Sequence, residues 1–93
     1  MKDDKFLKCI ADENRRKILK FLGEGEKCVN EISEFTGIEQ SLVSHHLKML
    51  RDCGLVKTRQ DGKKIIYSLS DDKIYNILKM IEKVANKIIE ECE

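Results

Sequence analysis

The residues of this chain that could do chemistry beyond simple charge are four cysteines and two adjacent histidines. His45, His46 and Cys53 fall in one stretch, SLVSHHLKMLRDCGLV at residues 41–56, and imidazole with thiolate is a donor set that zinc and softer ions take. The competing chemistry is recognition, in which polar side chains on a helix meet the edges of bases. Spacing decides between them. Neighbouring residues on a helix point about 100° apart, so His45 and His46 cannot close on one ion together. Ser41, Ser44, His45 and Lys48 instead recur at i, i+3, i+4 and i+7 and form one polar stripe. Val43, Leu47 and Leu50 form the opposing apolar stripe, with Leu42 and Met49 beside them. His46 lies on that flank as a partly buried packing residue. The two histidines therefore read as groove and packing residues rather than ligands. The remaining chain has no Gly-rich phosphate loop, no nucleophile elbow and no paired carboxylates in an apolar setting, so an enzyme is not expected.

These residues need elements to position them. Residues 3–10 read as a short amphipathic helix with Phe6, Cys9 and Ile10 on one stripe. Asn14 is a candidate cap for a second helix that buries Ile18, Leu19 and Leu22 and ends at Gly23. GEGEK follows as a turn. Asn30 is a candidate cap for a third helix with Ile32 and Phe35 inward and Gly37 at its end. Glu39 or Gln40 starts a fourth helix that runs to about Cys53, where Gly54 supplies a left-handed stop. The period then changes from helical to alternating: LVKTRQ, DG and KKIIYSL predict a β-hairpin, with Asp-Gly as its turn.

Four helices, a hairpin and a final helix, in the order ααααββα, predict a winged helix-turn-helix, mainly α with a small β-hairpin and dimeric. The reading is one domain over 1–93, with the helix-turn-helix at 30–53, the wing at 55–69, and dimerisation helices at 1–12 and 71–93. Net charge is only +1, but residues 40–70 hold six basic side chains against two acidic ones. That local excess is the footprint a phosphate backbone attracts. In the last segment Ile74, Leu78, Ile81, Ala85, Ile88 and Cys92 repeat at heptad spacing, widened by Ile77, Val84 and Ile89. So broad a stripe exceeds what a 93-residue core can bury, so a second copy of the chain is the expected cover, with Phe6 joining the interface; the alternative is that the helix folds back over the chain's own second helix. No apolar run reaches membrane-spanning length and the opening residues carry no h-region. The expected compartment is the cytoplasm, without a membrane partner and with the cysteines reduced.

ADENRRKILKFL, EKCVNEI and SLVSHHLKMLRDCGLVKTRQDGKKIIYSLS, spanning about residues 8–70, resemble the ArsR/SmtB family of arsenic- and metal-responsive repressors. The resemblance implies a homodimeric repressor of double-stranded DNA, with the first and last helices at the dimer interface. It implies groove contacts from Gln40, Ser41, Ser44, His45 and Lys48. Arg59, Lys63 and Lys64 on the wing would meet phosphates. A two-fold dimer would need an inverted-repeat operator.

The sensing sites of that family are only partly matched. Its Cys-Val-Cys pattern on the third helix appears as Cys28-Val29-Asn30, and asparagine is a poor ligand for a soft metal. Its Asp-x-His pair on the last helix appears as Asp71-Asp72-Lys73. The resemblance leaves open a soft metal or metalloid ion at Cys28, joined across the dimer by Cys9, with Cys92 as a third donor. Cys53, just before Gly54, reads as a small packing residue; Cys9 and Cys92 can instead serve as small buried hydrophobes, and Cys92 could pair with its own symmetry mate under oxidation. The functional expectation is a sequence-specific regulator released by a metal, metalloid or thiol-directed signal. The alternatives are a winged-helix protein-interaction module and a DNA-binding dimer with no metal sensing.

Overall fold

The computed structural model describes the backbone of residues 2–92 and the side chains of residues 2–90. The element order is α1 (Lys2–Ile10), α2 (Glu13–Leu22), β1 (Lys27–Cys28), α3 (Val29–Thr36), α4 (Gln40–Asp52), β2 (Val56–Asp61), β3 (Lys64–Leu69) and α5 (Lys73–Cys92). This is a winged helix-turn-helix. It departs from the expected order by β1, two residues that pair antiparallel with β3 through Lys27↔Tyr67 and Cys28↔Ile66. The sheet order is β1-β3-β2, so the hairpin is anchored to the start of α3 rather than hanging free. A two-residue strand is too short to show a period in sequence.

Helix starts differ from expectation for a local reason. Asp12, not Asn14, caps α2: its Oδ1 accepts from the Arg15 amide at 3.0 Å, which holds the Asp12 carboxyl below the usual carboxylate range. Cys28, not Asn30, is the N-cap of α3, and Glu31 reaches back so that its Oε1 accepts from the Cys28 amide at 3.0 Å. Asn30 is free of that duty and its Oδ1 accepts from Gln40 Nε2 at 2.7 Å, tying α3 to the first residue of α4. At the wing tip Asp61 pairs with Lys64, so the loop is Gly62-Lys63 rather than Asp61-Gly62. Gly62 takes φ 62° there, as the first central position of a mirror-image turn demands.

One core holds these elements. Ile18 and Leu19 of α2, Ile32 of α3, and Val43, Leu47 and Leu50 of α4 are fully buried and meet at its centre. Leu22, Ile38, Leu55, Val56, Leu69, Ile74 and Leu78 close its periphery. Phe35 is a correction: it is 64% exposed rather than inward, and lies flat on the Phe21 ring with centroids 4.1 Å apart. Leu42 and Met49 are likewise exposed on α4. The last helix contributes only its first turns to the core, through Ile74 and Leu78. Ile77, Ile81, Val84, Ile88 and Ile89 are exposed along the rest of its length.

The cysteines depart from the reduced state expected of them. Cys9 of α1 and Cys53, the C-cap of α4, form a disulfide with Cα atoms 6.8 Å apart. It closes a loop of 44 residues in sequence separation, a constraint on the unfolded chain of roughly 4 kcal/mol in the chain-entropy account. Two arginines reinforce the same corner. Arg15 donates from Nε to the Cys9 carbonyl at 2.7 Å and from Nη2 to the Lys8 carbonyl at 3.2 Å. Arg16 donates from Nη1 to the Ile10 and Ala11 carbonyls, each at 2.8 Å. The carbonyls at the end of α1, which no further helical turn satisfies, are thus taken by guanidinium groups of α2.

Gly23 ends α2 where Tyr75 of α5 packs down. A Cβ at residue 23 would stand 2.0 Å from Tyr75 Cδ1 and 2.6 Å from Cγ. Gly23→Ala is therefore expected to destabilise the fold by about 1–3 kcal/mol in urea unfolding. The clash account requires most of that cost to disappear in a Tyr75→Ala background. An unchanged cost there would place it in the backbone instead.

Candidate nucleic-acid interface and thiol sites

The turn between α3 and α4 is fixed by side chains of α3. Gly37 adopts φ 75° and donates to the Ser33 carbonyl at 2.9 Å. Ser33 Oγ donates to the Ile38 carbonyl at 2.6 Å, and Thr36 Oγ1 accepts from the Ile38 amide at 3.2 Å. Ile38 itself is buried, so the turn is pinned from inside and outside at once. This fixes how α4 leaves α3 and therefore which face it shows.

That face is the one periodicity predicts. Gln40, Ser41, Ser44, His45 and Lys48 are all exposed, while Val43, His46, Leu47 and Leu50 are buried beneath them. Two of the five are held locally: Gln40 by Asn30, and Ser41 by a 2.9 Å bond from its Oγ to Glu39 Oε1. Ser44, His45 and Lys48 project as an open polar row. The wing places Lys63 and Lys64 at its exposed tip. Arg59 is exposed too, but its guanidinium grips Glu26 bidentately, at 3.0 Å from Nε and 2.6 Å from Nη2. The pairing holds the Glu26 carboxyl below its ordinary range and raises Arg59 further, so this cation meets an internal partner first.

His46 is the unusual residue of α4. Its ring is 6% exposed, and among the described residues neither nitrogen has a hydrogen-bond partner. Burial lowers its pKa below the ordinary histidine value, against the opposing pull of the Asp12 carboxylate. It is packing of a polar kind, deeper than the partly buried flank expected from sequence.

The thiol sites are arranged differently from expectation. Cys9 is tied to Cys53, so its reading as a soft-metal ligand requires that bond to be reduced first. Cys53 is likewise a disulfide partner rather than a simple packing residue. Nothing in a spacing of 44 residues announced the bond. Cys28 is free and buried. The side chain of Cys92 lies outside the described residues. Among the described residues no three His, Cys, Asp or Glu side chains gather closely enough to hold a metal ion. No helix among them is long and apolar enough to cross a membrane.

A winged helix-turn-helix whose α4 presents an open polar row is a class of regulatory fold. Residues 12–58 match the model of the arsR family of bacterial regulatory proteins, and the chain belongs to that family. It is 42% identical over 74 residues to a probable mercury resistance operon repressor of Streptomyces lividans, covering 80% of this chain and 59% of that protein. It is 35% identical over 78 residues to the transcriptional activator HlyU of Vibrio cholerae, covering 84% of this chain and 72% of that one. Among solved structures it resembles a homodimeric winged helix-turn-helix DNA-binding domain from Mycobacterium bovis. The TM-score is 0.86 at 27% identity, over 97% of this chain and 83% of that one. The chain spans about six-tenths of the length of the first curated relatives it matches. The family and these relatives are regulators of transcription, not enzymes.

The state of His46 sets a pH window. Its folded pKa is depressed, so below the ordinary histidine value the unfolded chain binds the proton that the folded chain refuses. Stability is then fully present above about pH 6.5 and falls as pH drops from there toward the folded pKa. Asp12 acts lower, losing its contribution only as pH falls beneath the ordinary carboxylate range. His46→Leu is expected to be neutral or stabilising by up to about 1 kcal/mol at pH 7, since it removes two unpartnered buried nitrogens. It should also remove the decline that sets in below about pH 6.5. Chemical denaturation at stepped pH checks both, and a decline that persists in His46→Leu would refute the assignment.

Proposed function

We propose that this chain is a sequence-specific, double-stranded DNA-binding transcriptional regulator that works as a homodimer on an inverted-repeat operator. The observation that carries the reading is the exposed row Ser44, His45 and Lys48 on α4, together with a wing tipped by exposed Lys63 and Lys64. Serine and histidine can read base edges, joined by Gln40 and Ser41 once these exchange their local partners for bases. The lysines neutralise phosphates, and Arg59 adds to them only if it lets go of Glu26.

The dimer reading rests on apolar surface. Ile81, Val84 and Ile88 continue the seam of Ile74 and Leu78 along α5, exposed in the single chain. Beside them lies an open groove of about 440 Å³ between α1, α2 and α5, lined by Leu7, Ile10, Leu78, Ile81 and Ala85. A second copy laying its own α5 there would cover both, with half-buried Phe6 of α1 at the margin. The Mycobacterium bovis domain is similar over nearly the whole of this chain and is homodimeric, which supports the reading. One relative is named as a repressor and another as an activator, so this fold is compatible with either sign of regulation.

Duplex selection from a random-sequence pool at about 0.15 M salt tests the proposal. An enriched inverted repeat is expected, with half-sites about one helical turn apart or a multiple of it. His45→Ala should broaden the enriched sequence. Lys63→Ala with Lys64→Ala should weaken all duplexes and lower the salt slope by about 0.9 for each phosphate left unneutralised. Binding that is weak, salt-labile and indifferent to sequence would favour a protein-docking module.

Metal response is a separate question. The Streptomyces lividans relative is named for mercury resistance, and Cys28 stands free at the N-cap of α3. The donors of one protomer do not fit a soft ion, because Cys9 is bonded to Cys53 and Asn30 replaces a second thiolate. Cadmium titration of the oxidised protein is expected to give no stoichiometric thiolate-to-metal absorption. A saturating signal that vanishes in Cys28→Ser would instead establish a site at Cys28 completed by the second protomer.

A further inference from the structure

We propose that Cys9 and Cys53 form a redox-active pair, a site of thiol–disulfide exchange that takes a dithiol reductant and whose state sets how firmly α1 is docked on the end of α4. The site goes beyond the DNA-binding function; only a consequence for duplex affinity would rest on that reading.

Three features carry it. The first is access. An open cleft of about 120 Å³ leads to the bond, lined by Lys5, Lys8, Cys9, Arg15, Met49 and Cys53. Cys9 is only 3% exposed, whereas Cys53 is half-buried, so the two sulfurs are not equivalent to an incoming nucleophile. Attack falls on Cys53 Sγ.

The second is charge. Three of the six residues lining that cleft are cationic, and none is acidic. A thiolate is drawn toward such a rim, and the departing Cys9 sulfur is stabilised as an anion beside Arg15, Lys5 and Lys8. The third is the hold on α1 that survives without the bond. Arg15 and Arg16 keep the carbonyls of Lys8, Cys9, Ile10 and Ala11. Cys9 therefore stays near Cys53 after reduction, and the pair can close again. What α1 loses is its covalent hold on α4, where Cys9 Sγ lies 3.7 Å from the Met49 carbonyl oxygen.

The exchange balances as two electrons. One thiolate of the dithiol attacks Cys53 Sγ; the Sγ–Sγ bond breaks, a mixed disulfide forms on Cys53, and Cys9 leaves as a thiolate. The second thiol of the reductant, deprotonated, attacks its own sulfur in the mixed disulfide and releases Cys53 as a thiolate. The two protons of the dithiol end on Cys9 and Cys53, and the reductant leaves as a cyclic disulfide.

The test uses the full chain carrying Cys28→Ser and Cys92→Ser, so that only this pair can react. The folded protein is equilibrated with dithiothreitol at graded ratios of reduced to oxidised form, quenched with an alkylating agent and weighed intact. One two-electron transition that adds two alkyl groups, and reverses on reoxidation, is expected. In the reduced state amide exchange across residues 2–10 should quicken by about tenfold while α2 and α3 keep their protection. Cys53→Ser should show the same pattern without reductant. A bond that yields only in urea would make it structural. Cysteines already alkylated before reduction would show that the bond does not form, and unchanged exchange in α1 would show that it docks nothing. Any of these three results overturns the proposal. None of the readouts uses DNA, so a failure here is distinguishable from a failure of the regulator reading.

Discussion

The structure depends on the burial of one side of α4. Val43, Leu47 and Leu50 are sealed against Ile18, Leu19 and Ile32, and no rotation of the helix satisfies all three while hiding the opposite face. Fully burying a side chain of this size contributes roughly 1.5–3 kcal/mol, so turning α4 even by one residue would forfeit a large part of a small domain's stability. The display of Ser44, His45 and Lys48 is therefore not held by contacts those residues make. It follows from the core beneath them, and the turn that Ser33 and Thr36 tie to Ile38 sets the angle at which the display is presented.

That constraint explains which parts of the molecule were legible in sequence. The apolar stripe of α4, the stop at Gly54 and the alternation of the wing are properties of single elements, and their periods survive folding. The capping residues were displaced by short offsets, because Asp12 and Asn14 are both competent caps and only the position of the Arg15 amide chooses between them. Phe35 misled for a related reason. Its spacing matches Ile32, but the face it occupies runs past the edge of the core, where stacking on Phe21 is the best burial on offer. The Cys9–Cys53 bond, the arginine hold on α1 and the Glu26–Arg59 pair each join separate elements, and no period within one element encodes them.

Charge follows the same division between local and assembled information. The excess of basic residues over 40–70 was visible as a sum, yet the structure divides it into unequal parts. Arg59 is engaged with Glu26 midway along β2, whereas Lys63 and Lys64 stand at the tip of the wing. The Arg59–Glu26 pair braces β2 against the loop before β1, and the three-strand order β1-β3-β2 carries that brace to the first residue of α3. A wing built in this way moves with the helix-turn-helix, which suits a surface whose two parts must meet one ligand together.

Helix α1 is where the remaining constraints meet. On one side it borders the groove and the exposed stripe of α5, the surface assigned above to a second copy. On another side it is bonded to the C-cap of α4 through Cys53. Its main packing within the chain is against α2, whose arginines clasp its final carbonyls. A nine-residue helix so lightly packed would be poorly stable by itself, since isolated helices of that length are disfavoured in water. Its order therefore comes from the arginines, the disulfide and whatever covers its outer face. Any change in one of those three is felt by the other two, because they stabilise the same short helix. If the pair is redox-active and α5 is covered by a second copy, as proposed above, both act on the same short helix and would be coupled through it.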